Sequence, residues 1–164
     1  MKPHRSSPSA ELDEMDLRIL NCVQCHGELS NVDLSERVRL SPAQCWRRIR
    51  RLQRSGVITG YSAVLSREKL GLGVLAFVYL TFDKAQYRKI GDLYKIIGGF
   101  PEVLECHAVT GDYDYLLKVV ARDLEAYGAF LNTKLIQAPG VISVRSVVSL
   151  DTVKVTTALP LDTE

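Results

Sequence analysis

Residues 29–56 read LSNVDLSERVRLSPAQCWRRIRRLQRSG, and two helix starts lie within them, eleven residues apart. Ser30 with Asp33, between Leu29 and Leu34, and Ser41 with Gln44, between Leu40 and Cys45, each have the form of a capping box. Pro42 stands at the first helical position, where its missing N–H costs nothing. The spacing predicts a short helix over residues 31–38, a tight turn at Arg39 and Leu40, and a third helix from Pro42 to Arg54 that Gly56 stops. Upstream, Asp13 and Asp16 between Leu12 and Leu17 start a first helix, whose apolar stripe runs through Met15, Ile19, Leu20 and Val23 to a stop at Gly27. Three compact helices with a short turn between the second and third match a helix-turn-helix, and VITGYSAVL (57–65), with a bend at Gly60, reads as a β wing.

The third helix has two faces. At about 100° per residue, Arg50, Arg51 and Arg54 fall within about 60° of Arg47, with Gln44 on the same side, while Cys45, Ile49 and Leu52 lie opposite. Residues 40–54 hold five arginines and no acid, and residues 1–60 hold ten Lys/Arg against seven Asp/Glu, although the whole chain is only +2. A basic face without acidic neighbours, on the second helix of a helix-turn-helix, points to DNA rather than to a merely solvated surface. Ser41, Gln44, Arg47, Arg48, Arg50, Arg51 and Arg54 are the residues expected there. Gln44 and Arg47, nearer the helix start, suit base edges, and the later arginines suit phosphates. Trp46, at the border of the faces, is expected to pack against the wing or the first helix.

After residue 73 the periodicity changes. VLAFVYLTF (74–82) reads as a strand, residues 86–97 as a helix broken by Gly98, Gly99 and Pro101, and 103–109 and 115–121 as two strands around the turn TGDYD. Asp123 then caps a helix through Tyr127, Phe130 and Leu135 that Ala138-Pro139-Gly140 ends, and a last strand runs from Val141 to about Leu150. This β-α-β-β-α-β order predicts a ferredoxin-like plan with helices on one sheet face. Phe77, Tyr79, Leu116 and Val148 are assigned to the other face, which is expected to be largely apolar and to associate with a second copy.

Other chemistries find little support. The longest uncharged stretch, Leu70 to Phe82, is well short of the about 18 apolar residues of a membrane span, and MKPHRSSPSA has no signal core, which predicts a soluble, cytoplasmic chain with a flexible tail at 1–10. Cys22, Cys25 and His26 spell the C-x-x-C-H of haem attachment, but that chemistry needs export, and Cys22 continues the apolar stripe of the first helix. Cys45 and Cys106 stand alone, so no zinc set forms. The chain has no G-x-S-x-G, P-loop or H-E-x-x-H, and Cys106 and His107, adjacent on a strand, face opposite ways. A ferredoxin-like enzyme or a haem protein is the alternative to a regulator; no metal or cofactor is expected. The turn Thr110-Gly111-Asp112-Tyr113-Asp114 supports two readings: Gly and Asp are what a hairpin turn requires, and its carboxylates, phenol and free amides could also hold an amino acid.

LDEMDLRIL, GELSNVDLSERVRLSPAQCWRRIRRLQRSGVITGYSAVLS, HAVTGDYDYLLKVV and VKVTTALPL, in this order, resemble the Lrp/AsnC (feast/famine) transcription regulators over residues 12–161. The resemblance implies an α+β chain: a winged helix-turn-helix, then a βαββαβ (RAM) domain that dimerises through its sheet and assembles to tetramers or octamers. It further implies double-stranded DNA as partner and a small effector, commonly an amino acid, bound between dimers near Thr110, Gly111, Asp112, Tyr113 and Asp114. Similar members respond to cysteine or branched-chain amino acids. Ser149 departs from the aliphatic residue or alanine often found at its position. The expected domains are the tail at 1–10, the DNA-binding domain at 11–60, a linker strand at 61–73 and the effector and oligomerisation domain at 74–164.

Overall fold

The computed structural model describes residues 12–83, 85 and 90–161, with the backbone alone at 90 and 92. The expected tail at 1–10 and helix start at 86–89 lie outside these residues. The chain divides into two compact units: residues 65–153 form one, and the helical residues up to Val64 join the segment from Lys154 onward in the other.

In the helical unit α1 spans Glu14–Cys25, α2 Asn31–Val38 and α3 Pro42–Arg54. The caps are those the sequence predicts. Asp13 and Asp16 exchange side-chain and backbone hydrogen bonds at 2.9 and 3.1 Å, Ser30 accepts from the Asp33 amide, and Ser41 and Gln44 close a second box. Arg39, at φ 56°, ends α2 in the left-handed region, and the Leu40 amide donates back to the Ser35 carbonyl at 2.9 Å. This turn sets α3 against Ile19, Leu34 and Val38, where Cys45 and Leu52 are buried. Each such aliphatic side chain contributes about 1.5–3 kcal/mol by leaving water.

No wing strand forms. Residues 57–65 pair with nothing in a ladder; Ile58 alone turns back, its amide donating to the Leu52 carbonyl and its side chain packing on the helical core, while Tyr61, Val64 and Leu65 are exposed. The expected linker strand is also absent, since residues 67–71 turn, with the Leu72 amide bonded to the Arg67 carbonyl. A strand needs a partner for its amides, and neither segment has one among the described residues. The extended segment from Lys154, which the sequence places with the C-terminal domain, instead meets α1. Gln24 clamps Leu159 through both backbone polar groups, at 2.8 and 2.9 Å, and Asn21 donates to the Leu161 carbonyl.

The second unit has the predicted β-α-β-β-α-β order: β1 Val74–Phe82, α4 Ile90–Gly98, β2 Val103–Ala108, β3 Tyr115–Ala121, α5 Leu124–Phe130 and β4 Val141–Val148. The strands form one antiparallel sheet in the order β2-β3-β1-β4. A single π-helical turn, Leu131–Leu135, extends α5. Val78, Leu80, Leu117 and Val119 of the sheet pack with Leu93 and Ile97 of α4, Phe130 of α5 and Leu135 as one core. At the entry to β4, Gly140 (φ 85°) is required twice over. A Cβ there would lie 2.3 Å from the Phe82 ring, and an L side chain is strained at that φ.

Register corrects one assignment. Val148 lies opposite Ala76, which is in the helix-side core, so it is Val147, opposite Phe77, that shares the open face. That face is also less apolar than expected. One row across it is His107, Leu116, Tyr79 and Arg145, and the next is Glu105, Lys118, Phe77 and Val147. Lys118 and His107 bond Glu105 at 2.8 and 3.2 Å, and the Lys118 ammonium, then His107, hold its carboxyl below the usual range. Cys106 faces the other side, opposite Leu117, as strand alternation requires.

Candidate functional site

α3 presents five arginines, and packing divides them. Arg48 donates to both carboxylate oxygens of Asp13, at 2.7 and 2.8 Å, and to Asp16 at 2.9 Å; Arg51 also bonds Asp16. Asp16 has no exposed surface, so its charge is compensated by these two guanidinium groups from α3 together with the Asp13 amide. The Arg48 guanidinium, with the Asp16 amide second, holds the Asp13 carboxyl below its usual value. The expectation of an arginine face free of acids therefore fails for Arg48 and Arg51. Asp13 and Asp16 read in sequence as caps of α1, and only helix packing carries them to α3.

Arg47, Arg50 and Arg54 meet no carboxylate among the described residues. The Arg50 guanidinium lies over the Trp46 ring, 5.4 Å from its centroid. Trp46 is 53% exposed, so the expected packing against a wing or the first helix is not found. Residues 57–65 form no wing strand to pack against it. Ser41 and Gln44 are engaged with each other: the Gln44 carbonyl accepts from the Ser41 amide and hydroxyl at 3.3 and 3.1 Å, which leaves the Gln44 NH₂ as a donor. Arg47, Arg50 and Arg54 share one side of α3, Ser41 caps its start with Gln44 in the first turn, and Arg48 and Arg51 lean toward α1.

The turn at 110–114 joins β2 to β3. Gly111 adopts φ 114°, a conformation that favours glycine, and nothing lies within 4 Å of where its Cβ would be. The Asp114 amide donates to the Leu80 carbonyl, and its carboxylate accepts from the Phe82 amide at 2.8 Å, so one oxygen already serves the fold. Tyr113 is drawn to the open sheet face, where its hydroxyl accepts from Arg145 at 3.1 Å and its ring lies 5.0 Å from that of Tyr79. Thr110, Gly111 and Asp112 are exposed.

The C-x-x-C-H residues do not converge on a ligand. Cys22 is half-buried against the helical core, Cys25 and His26 are exposed, and no cluster of three metal-ligating side chains exists among the described residues. Burial, with Cys22 adding, pushes the Cys45 thiol up. Among the described residues no helix is long and apolar enough to cross a membrane.

Comparison with known proteins gives this arrangement its class. Residues 12–59 match the winged helix-turn-helix DNA-binding pattern, and residues 75–159 match the Lrp/AsnC ligand-binding domain. The chain belongs to the Lrp/AsnC family and is a DNA-binding transcriptional regulator rather than an enzyme. It is 39% identical over 163 residues to the leucine-responsive regulatory protein of Escherichia coli, covering 99% of each chain. A transcriptional regulator from Neisseria meningitidis, solved in complex with L-methionine, superposes with a TM-score of 0.89 at 40% identity, over 92% of this chain and 97% of the other. An AsnC family regulator from Agrobacterium tumefaciens gives a TM-score of 0.86 at 35% identity, again over 92% and 97%.

Proposed function

We propose that this regulator reads a specific operator with α3 in the major groove and changes its DNA binding when an amino acid occupies the region of residues 110–114. The observation that carries the DNA reading is the group Arg47, Arg50 and Arg54, positive and without a carboxylate partner among the described residues on the solvent side of α3. Arg47 and the Gln44 NH₂ contact acceptors on base edges, and Arg50 and Arg54 contact phosphates. Arg48 and Arg51 act first on the fold, holding α3 to α1, and Arg51, whose side chain is 54% exposed, keeps enough surface to reach a phosphate as well. Two copies associate through the open sheet face around Phe77, Tyr79 and Val147, and such dimers assemble to tetramers or octamers in the cytoplasm.

The amino-acid reading is supported by the Neisseria relative solved with L-methionine. Free amides of the turn meet the effector carboxylate, and the Asp114 oxygen not bonded to Phe82 meets its ammonium. A thermal-shift screen of the twenty amino acids tests this, since a ligand that binds only the native state raises the melting temperature. Methionine, leucine or cysteine is expected to give a shift in the wild type that Asp114→Asn loses. Asparagine keeps an acceptor for the Phe82 amide and removes the charge. An amino acid whose shift and whose effect on operator binding both survive in Asp114→Asn would place the effector elsewhere.

A further inference from the structure

A tryptophan half in water on a DNA-binding helix calls for an explanation. Around α3, Trp46 lies about 40° beyond Arg50 and about 100° from Arg47, on the flank away from Arg48 and Arg51. One ring face is occupied by the Arg50 guanidinium. The indole also forms a wall of a shallow groove that continues along Pro42, Ala43 and Gln44 to Arg47 and Asn31. Asn31 seals the back of this groove by donating from its side-chain NH₂ to the Pro42 carbonyl at 2.9 Å. The result is a shallow, open apolar concavity, walled by indole, proline ring and alanine methyl, at the leading end of α3 and bordered by Arg47 and Arg50.

We propose that this concavity holds the methyl group of a thymine, making Trp46 a specificity-determining residue. The proposal rests on the reading that α3 enters the major groove. In that groove, thymine is the base whose edge carries an apolar group, and apolar side chains recognise it by contact rather than by hydrogen bonding. The flanking arginines fix which partner comes near: Arg47 and Arg50, neither paired with a carboxylate among the described residues, draw a polyanion to the same surface. Arg50 over the indole holds the ring in one orientation, so the wall stands ready before binding. The polar neighbours read donors and acceptors, whereas Trp46 reads a methyl group.

The test uses the full chain and a duplex selected by it from a random-sequence pool, with each thymine replaced in turn by deoxyuridine, which removes only the methyl. Wild type is expected to lose about fourfold in affinity per half-site at one position, the worth of one buried methyl group. Trp46→Ala is expected to bind the thymine duplex more weakly yet be indifferent to uridine at that position, and Trp46→Phe to retain the difference. The melting temperature of both variants should stay near wild type, because the ring is half exposed. Indifference of the wild type at every thymine, a selected site without thymine, or an unchanged thymine-to-uridine ratio in Trp46→Ala would overturn the proposal. The result for Arg47→Ala/Arg50→Ala separates this failure from that of the wider reading. If that variant loses the operator, α3 is in the groove and only the role of Trp46 falls; if it binds normally, the placement of α3 falls too.

Discussion

On one flank of α3, Arg48 and Arg51 reach Asp13 and Asp16 of α1; on the other, Arg47, Arg50 and Arg54 meet no carboxylate among the described residues, and Arg50 lies on an exposed indole. The five side chains are chemically identical, and their neighbours separate them. An arginine whose charge is already compensated gives a polyanion little, since its gain on binding is offset by what it must release. One left in water releases only solvent and counterions. A count of basic residues on a helix therefore overstates how many are left free for a polyanion, and the acids packed beneath the helix supply the correction.

The largest expected effect lies on the open flank. Arg47→Ala with Arg50→Ala should weaken operator binding by about 5- to 150-fold from the lost Arg47 base contact alone, at about 1–3 kcal/mol, with the lost Arg50 phosphate contact adding to it, and leave the melting temperature within a degree or two. A retained operator affinity would show that the exposed arginines are not the reading surface.

On the closed flank the expected loss is in stability. Asp16→Asn leaves Arg48 and Arg51 without their shared buried anion and should destabilise the helical unit by about 2–3 kcal/mol, less than for a fully buried pair because both guanidinium groups reach water. Calorimetry of the full chain measures this as an earlier unfolding transition. A variant as stable as wild type would erase the distinction between the flanks.

A finer difference is in salt. Arg54→Ala should flatten the slope of log K against log salt by about 0.9, as one lost phosphate contact does. Arg48→Ala should leave that slope unchanged while lowering stability; slopes flattened equally in the two variants would mean that both arginines meet phosphate, and two wild-type slopes that neither does.

The smallest effect is in acid. Asp13 in the folded chain titrates below its ordinary value of 3.8, so its stabilisation is present above that pH and is lost as pH falls through the lowered value. Half exposed as it is, the contribution is less than about 1 kcal/mol. Asp13→Asn keeps a competent cap and removes the charge, so its melting temperature should trail wild type near neutrality and converge on it below pH 3.8. A gap that stayed constant with pH would mean that the cap, not the ion pair with Arg48, accounts for it.

How much of this was legible beforehand depends on the range over which the causes act. Caps at Asp13, Ser30 and Ser41 are local, written within four residues, and appear where the sequence places them. The order of strands and helices follows from hydrophobic periodicity, equally local. The partners of Arg48 are 32 and 35 residues away, and nothing along the chain marks Asp16 as anything but a cap. Strand alternation alone puts Val148 on the open face, whereas a register shift at Thr81 and Phe82, together with the pairing of β4 on β1, turns it to the other, and neither can be seen in one strand. The strand expected at 57–65 is absent for a related reason: β propensity there is real, but no neighbour among the described residues gives it a ladder to join. At the turn, Gly111 was legible as a glycine that must adopt positive φ, whereas the bond from the Phe82 amide that engages the Asp114 carboxylate was not.

The clamp of Gln24 on Leu159 has a consequence for how the protein is made. Residues 12–58 carry nearly all of the helical core and leave the ribosome first, free to collect into three helices while the sheet is still being synthesised. Yet the polar ends of Asn21 and Gln24 receive their backbone partners only when residues 159–161 have emerged, after every strand of the other unit has been translated. The first unit to begin folding is thus completed after the second has all of its strands, and until then α1 keeps water in the place of its final neighbour.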